Sequence, residues 1–536
     1  MLGSSTAKKM PPPDLISEMQ PSVAAAQQFR QQMGHISRQS SVFFAGTIFT
    51  TAAGYLFKVY LARVLGAEAL GIYALGMTII GLLGVFNALG LPQSAVRFVA
   101  TYCATAKLDL LRGFLARGMV FLLVSNLLLG GMVLLVGPWV AVHFYHTPAL
   151  HAYLGWFALI MVFGTLNTFL GQVLAGYKDV ARRTVITNFI GSPAVMIFTL
   201  GLVAWGLGLW GYIFAQVASA AVVLVLLIRA VWRLTPKTAR SLSAGFPPLE
   251  KEVISFSTVV FGVSFLEFLM AQADKVMIGF YLNAREVGIY AVAAALVAFV
   301  SIILQSVNQI FSPTIADLYT RGQHELLGRI FQTLTKWILG LTFPLAAVLI
   351  TFAPSLMRIF GHDFEAGWPV LVIGSIGQLV NCAVGSVGYL LLMSGNQRRL
   401  IRIQAVMACV MVALNLALIP RWGITGAAVS AALTNAVSNV WYLREVRRRL
   451  GLFPYSRSYL RLLPPLFGNL LVLLLLRETL SAVHPEWMVI AVGLVLGYLA
   501  FIGVALAFGL DSDDQLIARA AWSRVRGVFQ RAEVGA

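Results

Sequence analysis

The seventh long apolar run of this 536-residue chain carries three charges, Glu267, Asp274 and Lys275. A charge at mid-membrane costs ~2.5 to 3.5 kcal/mol on insertion scales, so a span that keeps three calls for a chemical reason. Glu267 and Asp274, seven positions apart, fall within ~20° of each other around a helix, and Ser264 and Lys275 flank that face. The first run has a similar stripe of Thr47, Thr51 and Lys58; the eighth has Ser301, Gln305, Asn308 and Ser312. Gln378 and Asn381, then Asn435 and Asn439, add amides to the tenth and twelfth runs. Lysine neutralises a phosphate group as a point charge without demanding a fixed geometry, which suits a ligand that is captured and then released.

The elements that must position these residues are membrane helices. Hydrophobic residues make up 59% of the chain and charged residues 11%, with a mean hydropathy of +0.83, which excludes a set of soluble domains. Apolar stretches of about 20 residues recur often enough to predict fourteen helices. They fall at about 40–62, 70–91, 114–138, 152–175, 184–204, 209–230, 255–281, 287–311, 331–357, 367–393, 401–419, 424–443, 459–476 and 487–510.

The chain also repeats itself. Residues 57–74, FKVYLARVLGAEALGIYA, align without a gap with residues 274–291, DKVMIGFYLNAREVGIYA, 217 positions later. Identities include Lys58/Lys275, Leu65/Leu282, Ala67/Ala284, Gly71/Gly288 and Tyr73/Tyr290. Duplicated sets of apolar runs mark transporters built from two bundles, with the working site between the bundles at membrane depth. The two equivalent lysines therefore stand out as a candidate anion site.

Lys and Arg fall heavily on one side of this arrangement. With the N-terminus inside, the outer side holds Arg63, Arg285, Arg358, Arg421 and Arg477, Lys58 and Lys275 lie within spans, and the other basic residues are cytoplasmic. Both termini are then cytoplasmic. The net charge of +18 faces anionic lipid headgroups and needs no nucleic acid. Residues 1–38 lack a signal-peptide pattern and read as a disordered cytoplasmic tail. Cys103, Cys382 and Cys409 are too few and scattered for a disulfide framework or a zinc site. His143, His146 and His151 are spaced too loosely for a metal site, and no cofactor is expected. The chain has no GxxxxGK[ST] phosphate loop, and its inter-helix loops are too short for a catalytic domain, so the expectation is a protein that is not an enzyme.

The block RVLGAEALGIYA, the segment GLPQSAVRFVA, and their partners NAREVGIYA and FSPTIADLYTRGQHELLGR resemble recurring segments of Wzx-type polysaccharide flippases. These belong to the superfamily that also holds MATE-type multidrug extruders and the peptidoglycan-precursor flippases. A second pair, GLGLWGYIFAQVAS at 206–219 and RWGITGAAVSAALT at 421–434, resembles the glycine-rich start of that family's sixth and twelfth helices. The resemblance covers about residues 38–450. It implies an all-α integral membrane protein with a tail at 1–38, six-helix bundles at 39–233 and 255–444, and a cytoplasmic linker at 234–254. Two additional helices at 445–510 and a cytoplasmic tail at 511–536 complete it. The implied activity is movement of a polyprenyl-pyrophosphate-linked oligosaccharide across the cytoplasmic membrane of a bacterium, with polysaccharide polymerase and other assembly proteins as implied partners.

Lys58, Lys275, Glu267, Asp274, Gln305 and Asn308 are the expected substrate contacts. Two alternatives stay open. Asp274 and Lys275 can instead neutralise each other, with the amides fastening helices together. A MATE-like antiporter would use Glu267 and Asp274 as its cation site.

Overall fold

The computed structural model describes residues 23–240, 245, 247–479 and 486–509, apart from the side chains of 23–45, 47, 48 and 457. Thr47, Lys8, Lys9, Arg30, Arg38 and the whole 511–536 tail, with its Arg519, Arg524, Arg526 and Arg531, lie outside that description, as does most of the 1–38 tail. The described part of that tail, 23–38, continues the first helix.

The longer helices are α1 (Val23–Ala88), α2 (Leu91–Ala104), α3 (Leu108–Trp139), α4 (Leu154–Gly176), α5 (Ser192–Ala204), α6 (Gly208–Leu234), α7 (Lys251–Tyr281) and α8 (Ala284–Val300). They continue as α9 (Ile302–Thr320), α10 (His324–Thr351), α11 (Trp368–Val384), α12 (Val387–Met393), α13 (Gln397–Leu450), α14 (Leu463–Thr479) and α15 (Glu486–Ala507). Among the described residues there is no strand. Helices satisfy every backbone group internally, which a bilayer requires.

Among the described residues eleven helices are long and apolar enough to cross a membrane, or twelve with the bent pair α8 and α9 taken as one. Fourteen were expected. The difference lies in two very long helices whose hydrogen bonding runs on across a break. In α1 the break is Gly66, at φ 79 and ψ 175, and in α13 it is Gly423, at φ 57 and ψ −139. Gly208, the repeat partner of Gly423, also has a positive φ of 50. Only glycine occupies such backbone freely, so the chain can turn here within one or two residues.

The bend between α8 and α9 measures 48°. Neither glycine nor proline causes it. Ser301 Oγ donates to the Ala298 carbonyl at 2.9 Å, and Gln305 Nε2 donates to Ser301 Oγ at 2.9 Å. A serine bonded back onto its own helix competes with the backbone ladder and bends it.

The repeated segments meet each other. A Cβ on Gly71 would lie 1.6 Å from the Ala284 carbonyl oxygen, and one on Gly288 would lie 2.0 Å from that of Ala67. The two contacts exchange with each other under the repeat, Gly71 on Ala284 and Gly288 on Ala67, so α1 and α8 cross on the pseudo-two-fold axis. Ala67 and Gly71, four apart, and Ala284 and Gly288 form the small-residue pairs that let membrane helices approach backbone to backbone. The repeat is most legible here because both copies share one contact.

α7 bridges the halves. Its buried residues are Val253 and Ser257 near one end and Ala273, Asp274, Ile278 and Gly279 near the other. At the first end, Ser257 Oγ lies 2.7 Å from Ser94 Oγ, Glu252 pairs with Arg97 at 2.6 Å, and Tyr102 donates to Glu250 at 2.6 Å. Burial first, and Glu250 beside it, raise the Tyr102 pKa, so the phenol stays a donor. The middle of α7 carries Phe261 and Phe265, whose rings meet Phe86 of α1 at 5.4 and 5.7 Å.

α14 and α15 dock on α10. Tyr498 donates to the Leu341 carbonyl at 2.7 Å, Gly340 receives Phe501, and Glu486 pairs with Arg358 at 2.8 Å.

Candidate functional site

Lys58 projects from α1 two turns before the Gly66 break, and Lys275 occupies the equivalent place on α7. Their charges are within electrostatic reach of each other. The Lys58 ammonium sits over the Tyr55 ring, 5.0 Å from its centroid. Tyr55 in turn crosses to the other half, donating to the Ala295 carbonyl at 2.9 Å with its ring centroid 3.9 Å from that of Phe299. Lys275 Nζ donates to Gln272 Oε1 at 2.7 Å. Among the described residues neither ammonium forms an ion pair.

Asp274 faces elsewhere. Its carboxylate accepts from the Lys275 backbone N–H at 2.7 Å and from the Tyr290 hydroxyl, and it is buried. Adjacent residues on a helix diverge by about 100°, so the two side chains leave α7 in different directions. Tyr73, the repeat partner of Tyr290, accepts from Gln216 Nε2 at 3.2 Å, so the equivalent tyrosines serve different contacts.

Glu267 is exposed on the middle of α7 and makes no hydrogen bond or ion pair among the described residues. Gln305 and Asn308 lie on α9 beyond the bend. Gln305 is exposed and bonded to Ser301, while Asn308 is 7% exposed with its Oδ1 unpaired among the described residues. The structure thus places the two lysines at equivalent points of α1 and α7, turns Asp274 toward Tyr290, and sets Gln305 and Asn308 on a separate helical segment. Of the remaining amides, Gln378 bonds Asn381 at 3.1 Å, and Asn435 bonds Asn439 at 2.9 Å and the Gly377 carbonyl at 3.4 Å. These tie helices α11 and α13.

Reading from residue types alone passes over Tyr55, Gln272 and Tyr290. The repeat carried a signal for the first two, because they stand at equivalent positions, each three before its lysine. Lys336, counted with the basic residues of the cytoplasmic side, is buried within the apolar helix α10. Among the described residues no group of three or more His, Cys, Asp or Glu could hold a metal. His143 stacks on Trp139 at 5.3 Å, and the three cysteines form no disulfide.

A family model described as polysaccharide biosynthesis protein matches residues 60–366. The chain belongs to that family.

Within curated proteins, this member of the polysaccharide biosynthesis family is 21% identical over 391 residues to an uncharacterised membrane protein of Methanocaldococcus jannaschii, covering 68% of this chain and 75% of that one. It is 26% identical over 189 residues to a probable low-salt glycan biosynthesis flippase of Haloferax volcanii, which spans 34% of this chain and 39% of the relative. Among solved structures, the lipid II flippase MurJ in an inward closed conformation superposes with a TM-score of 0.66 at 14% identity, covering 87% of this chain and 97% of the other. An inward-facing MATE-family transporter gives a TM-score of 0.61 at 15% identity, over 75% and 94%. The fold is that of the MOP-superfamily transporters.

Proposed function

We propose that this protein moves a polyprenyl-pyrophosphate-linked oligosaccharide across the cytoplasmic membrane of a bacterium by alternating access, for the assembly of a surface polysaccharide. The observation that carries the reading is the pair of repeat-equivalent lysines, both within apolar spans and neither forming an ion pair among the described residues. Two cations that form no ion pair among the described residues suit a pyrophosphate, and little water screens them there. A drug or cation antiporter needs the reverse polarity, so that reading is not favoured. The name of the Haloferax volcanii relative and the family description both support a glycan substrate.

In this reading Lys58 and Lys275 hold the phosphates, and Asp274 fixes the lysine-bearing end of α7 through Tyr290. Glu267, Gln305 and Asn308 line the path beside them, and the polyprenyl tail stays in lipid. Two spans each from α1 and α13, divided at Gly66 and Gly423, would restore the count of fourteen: the apolar stretches of 40 and 54 residues reach at least about 60 Å at 1.5 Å per residue, twice the hydrocarbon thickness. Both termini are cytoplasmic, and a polymerase and other assembly proteins receive the product.

A strain lacking the protein should lose surface polysaccharide while accumulating the lipid-linked repeat unit, inaccessible to external probes. Absence of the unit itself would assign the protein to synthesis instead. Complementation with cysteine-free copies carrying one cysteine tests orientation in the same cells. Thr147 and Ser394, the obvious loop positions, are buried. Their exposed neighbours Ala149 and Gln397 serve better. Impermeant maleimide should label Ala149→Cys and spare Gln397→Cys, and the reverse pattern would invert the topology.

A further inference from the structure

Both site lysines are held by the residue three positions earlier in their own helix. A helical side chain leans toward the N-terminus, so a long lysine naturally reaches back one turn. For Lys275 the residue reached is Gln272, whose Oε1 accepts from Nζ at 2.7 Å. For Lys58 it is Tyr55, whose ring face lies 5.0 Å from Nζ. Tyr55 and Gln272 occupy equivalent positions of the repeat and share no chemistry except one property: each attracts a cation while carrying no net charge.

We infer that Gln272 and Tyr55 are neutral placeholders, positioning residues that hold the two ammonium groups facing the substrate without cancelling their charge, and that yield to the phosphate oxygens when the headgroup arrives. This rests on the assignment of Lys58 and Lys275 as the pyrophosphate site. A carboxylate at either position would pair with its lysine at one turn's spacing and become an internal competitor for the substrate. An aliphatic residue would leave the ammonium to find other partners. The amide oxygen stands where a phosphate oxygen will stand, so exchange swaps a neutral acceptor for a charged one, and charge-assisted bonds are the stronger. Tyr55 differs in having its hydroxyl committed to the Ala295 carbonyl of the other half, so Lys58 is held across the interface between halves whereas Lys275 is held within its own helix.

The test uses the full-length protein in detergent with inorganic pyrophosphate as the probe, binding measured by calorimetry and folding by thermal melting. Gln272→Ala should bind within about threefold of the parent, whereas the isosteric Gln272→Glu should bind at least tenfold more weakly at an unchanged melting temperature. Tyr55→Phe should keep parental affinity because the ring remains, and Tyr55→Glu should lose it. Equal binding by Gln272→Glu and Gln272→Ala would overturn the placeholder role, as would equal loss in both. Lys275→Ala separates this from the underlying assignment: parental binding by that variant would remove the lysine site itself, whatever the glutamine variants do.

Discussion

Lys275→Ala should abolish surface polysaccharide at normal protein abundance, a loss of tenfold or more in the amount exported. Lys275→Arg should keep part of it, since the charge survives with altered geometry, and Lys58→Ala should match Lys275→Ala because the two lysines share one ligand. The competing account makes Lys275 the counter-ion of Asp274. That account predicts reduced abundance for the single variant, because removing one partner leaves a buried charge unpaired, and rescue by the double change Asp274→Asn with Lys275→Ala. The geometry argues against rescue. Asp274 is bonded to Tyr290 and the Lys275 backbone, while the Lys275 ammonium is on Gln272. Restored export in the double variant, read by immunoblot of protein and of polysaccharide, would defeat the binding role of Lys275.

Gly71→Ala and Gly288→Ala should each stop transport. The added methyl would meet a backbone carbonyl at 1.6 and 2.0 Å, and a backbone carbonyl cannot swing aside as a side chain does. Overpacking typically costs about 1 to 3 kcal/mol, and here the relief available is separation of α1 from α8, which holds this end of the two halves apart. A cysteine at Val292, buried in the same α8 packing, should then react with impermeant maleimide at least fivefold faster than in the parent. Gly84→Ala is the control, because nothing lies within 4 Å of its would-be Cβ. Normal transport in Gly71→Ala would show that the crossing is looser than drawn, and equal loss in Gly84→Ala would show a general intolerance of alanine in α1.

Much of this was legible before any coordinates. The repeat located Lys58 and Lys275 as equivalents, and two-fold pseudo-symmetry is enough to bring equivalents toward one axis. What the linear pattern could not supply was side-chain direction. Asp274 and Lys275 are neighbours of opposite charge, and only the packing of α7 against α8 sends the carboxylate to Tyr290, sixteen residues on. The bend at Ser301 was invisible because it depends on hydrogen bonds rather than on glycine or proline, so 287–311 read as one straight helix when Gln305 and Asn308 lie on the segment beyond the bend. Hydropathy divides α1 and α13 where their hydrogen bonding does not.

The central claim is that the protein itself carries the lipid-linked headgroup between leaflets. The most direct measurement places purified protein in liposomes loaded with a polyprenyl-pyrophosphate oligosaccharide and follows its transfer between leaflets with an impermeant lectin. The account predicts that the lectin-accessible fraction changes with time in vesicles containing the parent protein and stays fixed with Lys275→Ala or in protein-free vesicles. Equal rates for the parent protein and Lys275→Ala, or no transfer by a correctly folded parent, would contradict it.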